Sequence, residues 1–305
     1  MEKIISNIIY GTLWLLSKLP FAILYLISDV TYLIIYYIVG YRKTIVRRNI
    51  SSFFPDKTLP EIKAIEKQFY KHFADLFVEM IKSFSISSKE LNKRFKVTGT
   101  EVLDQLYEDG KSVIINGAHY GNWEWNSIMG EKIKHHSIAI YSRIKNKFLN
   151  DRIKKNRGRF GLELLVKHKV ISAMHHHETN QKLCAYGFLS DQTPNMSRAF
   201  YWSEFMGKRV PVLTGAEVLA KKHNLALVYL NIEKIKRGFY TCHMELMTDT
   251  PRDYPDFELT ERFLEKVTAQ INAEPAYYLW SHNRLKNVGK EHLKPPMPKK
   301  TRLYN

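Results

Sequence analysis

A short apolar run that ends on a glycine-bounded turn does most to limit the folds open to this chain. Residues 112–115 have the pattern of a buried β-strand, and the turn that follows contains Gly117 and Gly121. Glycine supplies the backbone freedom that such a turn needs. A segment that can begin a helix comes next. The pattern predicts a strand-to-helix join of the kind at which open α/β sheets collect functional groups.

A histidine and a carboxylate stand five positions apart at this join. In one continuous helix, five residues turn the chain by about 500°, which would point His119 and Glu124 away from each other. They can converge only if His119 lies on the turn and Glu124 in the first turn of a helix capped by Asn122. A carboxylate beside one imidazole nitrogen raises the basicity of the other. We therefore predict a His119–Glu124 general base aimed at a hydroxyl; the simpler alternative is a buried histidine that caps the strand.

Other apolar runs alternate with segments of helical spacing. Strands are predicted at 137–141, 183–189, 225–232 and 239–246, and helices at 61–84, 166–174, 216–222 and 258–273. This alternation predicts an α/β fold with a central mixed sheet flanked by helices. We expect the run His175–His177 to end a helix rather than to hold a metal, because adjacent helical residues point in different directions.

The amino-terminal residues 3–40 are the most apolar part of the chain. The run 21–40 is long enough to span a bilayer, although Asp29 near its centre is unfavourable there. Lys18 and Pro20 separate it from a shorter apolar run, 8–16. Either run could cross, both could form a tilted or partly interfacial hairpin, or both could pack on the domain as hydrophobic helices. We expect membrane anchoring.

Charge narrows the possible partners. Four cations within 42–48 place this side of the anchor in the cytoplasm by the positive-inside rule. The formal net charge of +17 indicates an anionic partner, which is a nucleic acid, an acidic protein or a lipid surface. No motif that reads nucleic acid is recognisable, and the apolar amino terminus argues against that class. With only Cys184 and Cys242, a disulfide scaffold is excluded and a reducing compartment is indicated.

We divide the chain into an anchor with its basic flank at 1–45, an α/β domain at 46–289 and a basic tail at 290–305. The tail is expected to be mobile. Between 205 and 215, Gly207 and Gly215 are expected to let a ligand approach the backbone closely.

The string from His119 to Glu124, His-Tyr-Gly-Asn-Trp-Glu, carries the His-x4-(Asp/Glu) signature of glycerolipid-type acyltransferases. It resembles one branch of them, the lipid A biosynthesis late acyltransferases of Gram-negative bacteria, or lauroyl/myristoyl transferases. Further blocks resemble that family in the same order: 41–49, 141–146, 190–194 and 280–286.

The resemblance implies an enzyme at the bacterial inner membrane that faces the cytoplasm. Such an enzyme takes a fatty acyl chain from acidic acyl carrier protein, or from acyl-CoA, and places it on a hydroxyl of a lipid A precursor. It implies the substrate-binding residues Asn122, Arg143, Asn146, Arg157, Asp191 and Gln192. We expect Asp191 to hold Arg143 or to orient a substrate hydroxyl.

The expected chemistry is direct attack without an acyl-enzyme, because no serine or cysteine stands at the turn as a nucleophile. Backbone N–H groups near Gly121 and Asn122, or Arg143, are expected to stabilise the oxyanion. Neither a metal nor a cofactor is expected. The alternatives that remain are an acyltransferase for another lysolipid, glycolipid or aminolipid, and a non-catalytic membrane scaffold.

Overall fold

The computed structural model describes residues 2–143 and 146–297, and it leaves the side chains of residues 2–5 and 149 undescribed. The strands of the described residues are β1 (Phe95–Thr98), β2 (Val113–Gly117), β3 (His136–Tyr141), β4 (Glu163–Val166), β5 (Cys184–Leu189), β6 (Trp202–Phe205), β7 (Lys208–Pro211), β8 (Ala226–Lys236) and β9 (Phe239–Thr248). Seven of these strands form one sheet in the order β1-β9-β8-β2-β5-β3-β4. Strands β8, β2, β5, β3 and β4 are parallel, whereas β9 runs antiparallel to β8. The predicted α/β class with a mixed central sheet is confirmed.

Helices cover the sheet and extend from it at the amino terminus. The α-helices of the described residues are α1 (Glu2–Ser17), α2 (Phe21–Leu33), α3 (Lys43–Phe53), α4 (Leu59–Lys82), α5 (Ser88–Arg94), α6 (Glu101–Glu108), α7 (Lys147–Arg157), α8 (Val170–Thr179), α9 (Gly215–His223) and α10 (Glu258–Ala273). A π-helix, Ile34–Ile38, continues α2, and a 3-10 helix, Trp123–Glu131, follows β2. A capping box between Thr58 and Glu61 fixes the start of α4.

The two faces of β2 pack against different helices because successive side chains point to opposite sides of a sheet. Val113 and Ile115 pack in one core cluster with Trp125 of the 3-10 helix. Ile114, between them in sequence, packs in another cluster with residues of α8 and α9. Because β2 is buried on both faces, it has the continuous apolar run from which it was predicted.

One predicted helix start was wrong, and one glycine has a local structural role. Val166 ends β4, and the helix expected to begin there begins at Val170. Gly207, with φ of 71°, follows Met206, with φ of 49°, between the antiparallel strands β6 and β7. Two consecutive residues with positive φ are the geometry of a tight hairpin turn. Gly207 therefore serves the turn of a hairpin, and the expected approach of a ligand there stays a prediction.

The apolar amino terminus forms α1, α2 and the π-helix. Within the described residues, one helical stretch, Phe21–Ile38, is long and apolar enough to cross a membrane, and 22% of it is buried. Its buried residues lie on one face: Leu24, Ser28, Tyr32 and Tyr36. The rest of its surface is partly or fully exposed.

The basic flank after α2 contacts the closing segment of the chain. The Asn49 amide donates to the carbonyl oxygens of Trp280 and His282, at 2.9 and 2.7 Å, and Arg42 donates to that of Ser281 at 3.0 Å. Arg47 pairs with the buried Glu66 at 2.8 Å. Arg42 and Arg47, two of the four cations used to place this side of the anchor in the cytoplasm, thus also hold the fold together. Residues 298–305 of the predicted tail lie outside the described residues.

Candidate active site

His119 and Asp191 meet because their strands are neighbours in register. Gly117 at the end of β2 pairs with Leu189 at the end of β5, and each side chain stands two residues beyond its strand. His119 Nδ1 lies 2.7 Å from Asp191 Oδ1, and the His119 backbone N–H donates to the same oxygen at 3.1 Å. Asp191 is buried, whereas the His119 side chain remains 19% exposed. The arrangement is a histidine held from behind by a carboxylate and open on its other side.

The electrostatics of this pair favour the charged forms of both groups. Burial lowers the pKa of His119, but the charge of Asp191, their hydrogen bond and the charge of Glu124 outweigh it and leave this pKa above its usual value. For Asp191, burial raises the pKa, and the charge and hydrogen bonds of His119 more than offset this rise. An imidazolium formed at His119 during a reaction is therefore stabilised where it stands.

The second nitrogen of His119 faces the opening of the site. With Nδ1 donating to Asp191, Nε2 carries the lone pair and accepts from the Gln192 amide at 3.3 Å. The Trp123 ring stands edge-on to the imidazole, with centroids 5.4 Å apart. A hydroxyl that took the place of the Gln192 amide would have its proton directed at the basic nitrogen.

Glu124 has another partner than the one predicted. Its carboxylate accepts from Arg157 at 2.6 and 2.7 Å, whereas the carboxylate bonded to His119 is Asp191. The predicted His119–Glu124 hydrogen bond is thus replaced by two pairs, His119–Asp191 and Glu124–Arg157. The expectation that Glu124 lies in the first turn after the Asn122 cap is met by the 3-10 helix. It brings Glu124 and His119 to the wall of one cavity.

Two adjoining cavities lie near His119, and His119 lines the first of them. The first, of about 220 Å³, is bounded by His119, Glu124 and Arg157. The second, of about 120 Å³, is mostly apolar and shares Trp123 and Leu189 with the first. It lies between the 3-10 helix and a sheet face of small residues: Ser137, Ala139, Ala185 and Gly187. From Leu189 back to Ala185 this face extends about 13 Å along β5.

The turn itself rests on buried polar groups. Gly121 has φ of 57°, and a Cβ atom there would lie 2.7 Å from Ile232, so another residue would not fit. Its N–H donates to the Tyr277 carbonyl, which removes it from the predicted oxyanion site. Asn122 caps the 3-10 helix through its oxygen and donates to Glu79 at 2.6 Å. Buried and engaged in this way, Asn122 supports the turn and does not occupy the predicted substrate-contact position.

Glu79 was not predicted as a site residue, although it lies beneath the turn and accepts from the Asn122 amide there. It also accepts from the hydroxyls of Tyr25 and Tyr240, both at 2.9 Å. Burial raises the pKa of Glu79 to about 7, with a smaller opposing effect of Lys234. Helical spacing assigned this helix to the core, but nothing in the spacing distinguishes a buried carboxylate from an exposed one.

The closing segment supports the loop that carries Asp191. The Thr193 backbone N–H donates to His282 Nε2 at 3.0 Å, and the buried Arg284 donates to the Thr193 hydroxyl at 3.1 Å. The sequence marked 280–286 only by resemblance, and the contacts give these residues a structural part in the site.

The remaining predicted residues lie toward α7. Arg143 is exposed just past β3, and its expected partner Asp191 is buried against His119. Asn146 donates to the Ser6 hydroxyl of α1 at 3.0 Å. The histidine run lies at the end of α8 as expected, where His177 bonds the Tyr186 hydroxyl at 2.9 Å. Among residues 2–143 and 146–297, no group of three or more His, Cys, Asp or Glu is placed to hold a metal ion.

Comparison with known proteins adds one match. The family model described as bacterial lipid A biosynthesis acyltransferase matches residues 2–287, which is nearly the whole chain. A search of curated proteins found no sequence that matches.

Proposed function

Because the chain belongs to the bacterial lipid A biosynthesis acyltransferase family, we propose that it moves a fatty acyl chain from an acyl thioester to a hydroxyl of a lipid A precursor. The proposed donor is acyl carrier protein, with acyl-CoA as a second thioester. The observation that carries the proposal is the His119–Asp191 pair, 2.7 Å apart, with His119 on the wall of a cavity that adjoins a mostly apolar one.

In the proposed step, the acceptor hydroxyl oxygen attacks the thioester carbonyl carbon while His119 Nε2 takes the hydroxyl proton. The tetrahedral intermediate then expels the thiolate, which takes the proton from the imidazolium. The products are an ester and a free thiol. Asp191 keeps Nδ1 protonated and stabilises the imidazolium, which is the part that the sequence had assigned to Glu124.

The cavity bounded by His119, Glu124 and Arg157 is the proposed place of the reacting groups. Arg157 is half-buried and already paired with Glu124, so its remaining N–H groups can face a developing oxyanion or a lipid phosphate. The adjoining apolar cavity is the proposed site of the acyl chain, because small side chains leave room there along the sheet face.

The proposed setting is the cytoplasmic face of the inner membrane. The family is typically membrane-associated, and within the described residues one helix near the amino terminus is long and apolar enough to cross a membrane. The net charge of +17 suits an anionic lipid surface and an acidic carrier protein.

The test is acyl transfer by the purified protein. We expect mass spectrometry to find one added acyl group on a lipid A precursor when acyl carrier protein is the donor. The His119→Ala variant should add none, whereas His168→Ala, which changes an exposed histidine, should keep full activity. Transfer only to a lysophospholipid, glycolipid or aminolipid offered in the same panel would show that this lipid, and not a lipid A precursor, is the acceptor. Full activity in His119→Ala would overturn the mechanism.

A further inference from the structure

One face of α2 is bonded to the α/β body by polar side chains. Ser28 donates to Asp75 at 2.8 Å, and Tyr25 donates to Glu79 at 2.9 Å. Both carboxylates are buried. Asp29, one residue further, pairs with Arg237 at 2.6 Å, and Arg237 also pairs with Asp75. These contacts fix α2 along the side of α4.

The opposite face of the same helix is an apolar strip. Leu26, Val30, Leu33 and Tyr37 follow one another at spacings of three or four residues and are 51–66% exposed. Such spacing places all four on one side of the helix. The helix is therefore two-sided, with polar bonds to the body on one side and exposed apolar groups on the other.

This two-sided arrangement does not suit a helix that crosses a bilayer. The stretch Phe21–Ile38 has the length to cross, but Asp29 stands near its middle. Asp29 and Arg237 are 57% and 39% exposed, so a crossing would put both charges near the bilayer centre, where charged groups are costly. It would also carry the flank of the α/β body into hydrocarbon.

Cations border the strip. Lys18 is exposed just before α2, and Arg42 is exposed just beyond the π-helix. Lys236 is exposed at the end of β8, beside the turn to β9 that contacts α2 through Gly238 and Tyr25. An apolar face rimmed by cations has the chemistry of a helix that lies in the interface of a bilayer with anionic head groups.

We propose that α2 lies in the plane of the membrane surface, with its strip of Leu26, Val30, Leu33 and Tyr37 in one leaflet of an anionic phospholipid bilayer, and does not cross it. The inference deepens the proposed membrane setting and rests on it, but not on the acyl-transfer chemistry. Helix α1 is bonded through Ser6 to Asn146, which lies next to the start of α7, and α7 is the helix that carries Arg157. A lipid acceptor would then approach the site from the same leaflet.

The first test is sidedness in the full chain. Lys18→Cys labels the link before α2, and Lys57→Cys labels an exposed position on the α/β side. The native Cys184 and Cys242 are buried and free, so a membrane-impermeant maleimide should leave them unlabelled. We expect inverted inner-membrane vesicles to be labelled at both positions and right-side-out vesicles at neither. Labelling of the two positions from opposite faces would mean that α2 crosses and would overturn the proposal.

The second test is binding to vesicles of phosphatidylglycerol or of phosphatidylcholine. We expect tighter binding to phosphatidylglycerol, and at least a tenfold loss in the Leu26→Asp/Val30→Asp variant. Ile171→Asp, which changes an exposed apolar residue of α8, should bind as the unchanged protein does. Equal binding by the strip variant and the α8 variant would overturn the proposal. Acyl transfer in detergent should persist in all of them, and its absence from the unchanged protein would instead refute the proposed function.

Discussion

At the scale of the residue, the site depends on which carboxylate bonds His119 and which bonds Arg157. His119 uses its backbone N–H and its Nδ1 to bond a single oxygen of Asp191. Both carboxylate oxygens of Glu124 accept hydrogen bonds from Arg157. The two acids therefore have separate tasks: one holds the imidazole and the other holds a cation at the wall of the cavity. This separation can be measured.

Asp191→Asn should lower activity and also move its pH dependence. We expect kcat/KM to fall roughly 10²–10⁴-fold, the usual contribution of general base catalysis. Because the charge of Asp191 helps hold the pKa of His119 above its usual value, its loss lowers that pKa. The neutral imidazole then persists at lower pH, so the acidic limb of the pH–rate profile should move down in pH. A limb that stays in place or moves up would contradict this assignment.

Glu124→Ala and Arg157→Ala should behave as changes to one unit. Each leaves the other side of the ion pair without its partner, so the double variant should be little worse than either single variant. A coupling free energy of about 0.5–3 kcal/mol in kcat/KM is expected for groups in contact. If Glu124 instead orients His119, the Glu124→Ala change will lower kcat/KM as much in the Arg157→Ala background as in the unchanged protein.

The sequence predicted which residues gather at the site better than how they pair. The strands predicted at 112–115 and 183–189 end shortly before His119 and Asp191, and open sheets collect functional groups at strand ends, so both residues were candidates although 72 positions separate them. Their partnership depends on β2 and β5 being neighbours in register, which no local pattern encodes. Glu124 was predicted as the partner of His119 because it is near in sequence. Arg157 competes for it from a helix whose approach the sequence does not specify.

At the scale of the element, long periodic segments were predicted well and short ones were missed. Helix α10 matches its predicted bounds, and β8 and β9 extend beyond theirs. The four-residue edge strands β1 and β4 were not predicted. Each pairs with one neighbour, so tertiary pairing and not a long apolar run defines it. The buried carboxylates of α4, Asp75 and Glu79, were not predicted. Helical spacing is the same whether these two residues face solvent or α2.

Glu79 should make the stability of the protein depend on pH. Burial raises its pKa from 4.5 to about 7, so the folded protein binds this proton more tightly than the unfolded chain does. Its contribution is then fully present below about pH 4.5 and is lost as pH rises through about 7. Glu79→Gln removes the titration, so the variant should gain about 3 kcal/mol relative to the unchanged protein across that range.

The measurement is the free energy of unfolding by denaturant, in detergent, at several pH values from 4 to about 8. Glu265→Gln, on an exposed position of α10, makes the same chemical change at the surface and should leave the pH dependence of the unchanged protein in place. Parallel curves for Glu79→Gln and Glu265→Gln would show that Glu79 is not the titrating group.

At the scale of the whole molecule, the excess of positive charge has more than one use. Arg42 and Arg47 of the basic flank bond the closing segment and the buried Glu66. Lys18 and Lys236 border the apolar strip of α2. Helix α7 carries a third group of cations, several of them exposed, and ends at Arg157 on the cavity wall. An acidic carrier that delivers a thioester to this cavity would meet α7 first.

Reversing charge on α7 should therefore weaken use of the carrier-borne donor alone. In Lys154→Glu/Lys155→Glu, KM for acyl-acyl carrier protein should rise by roughly tenfold or more, because charged surfaces raise association rates by such factors. The effect should shrink in high salt, and kcat and the KM for acyl-CoA should change little. The Lys63→Glu/Lys67→Glu variant alters net charge equally at exposed positions of α4 and should leave the carrier KM unchanged. If both variants raise it alike, the carrier responds to the overall field of the protein and does not dock on α7.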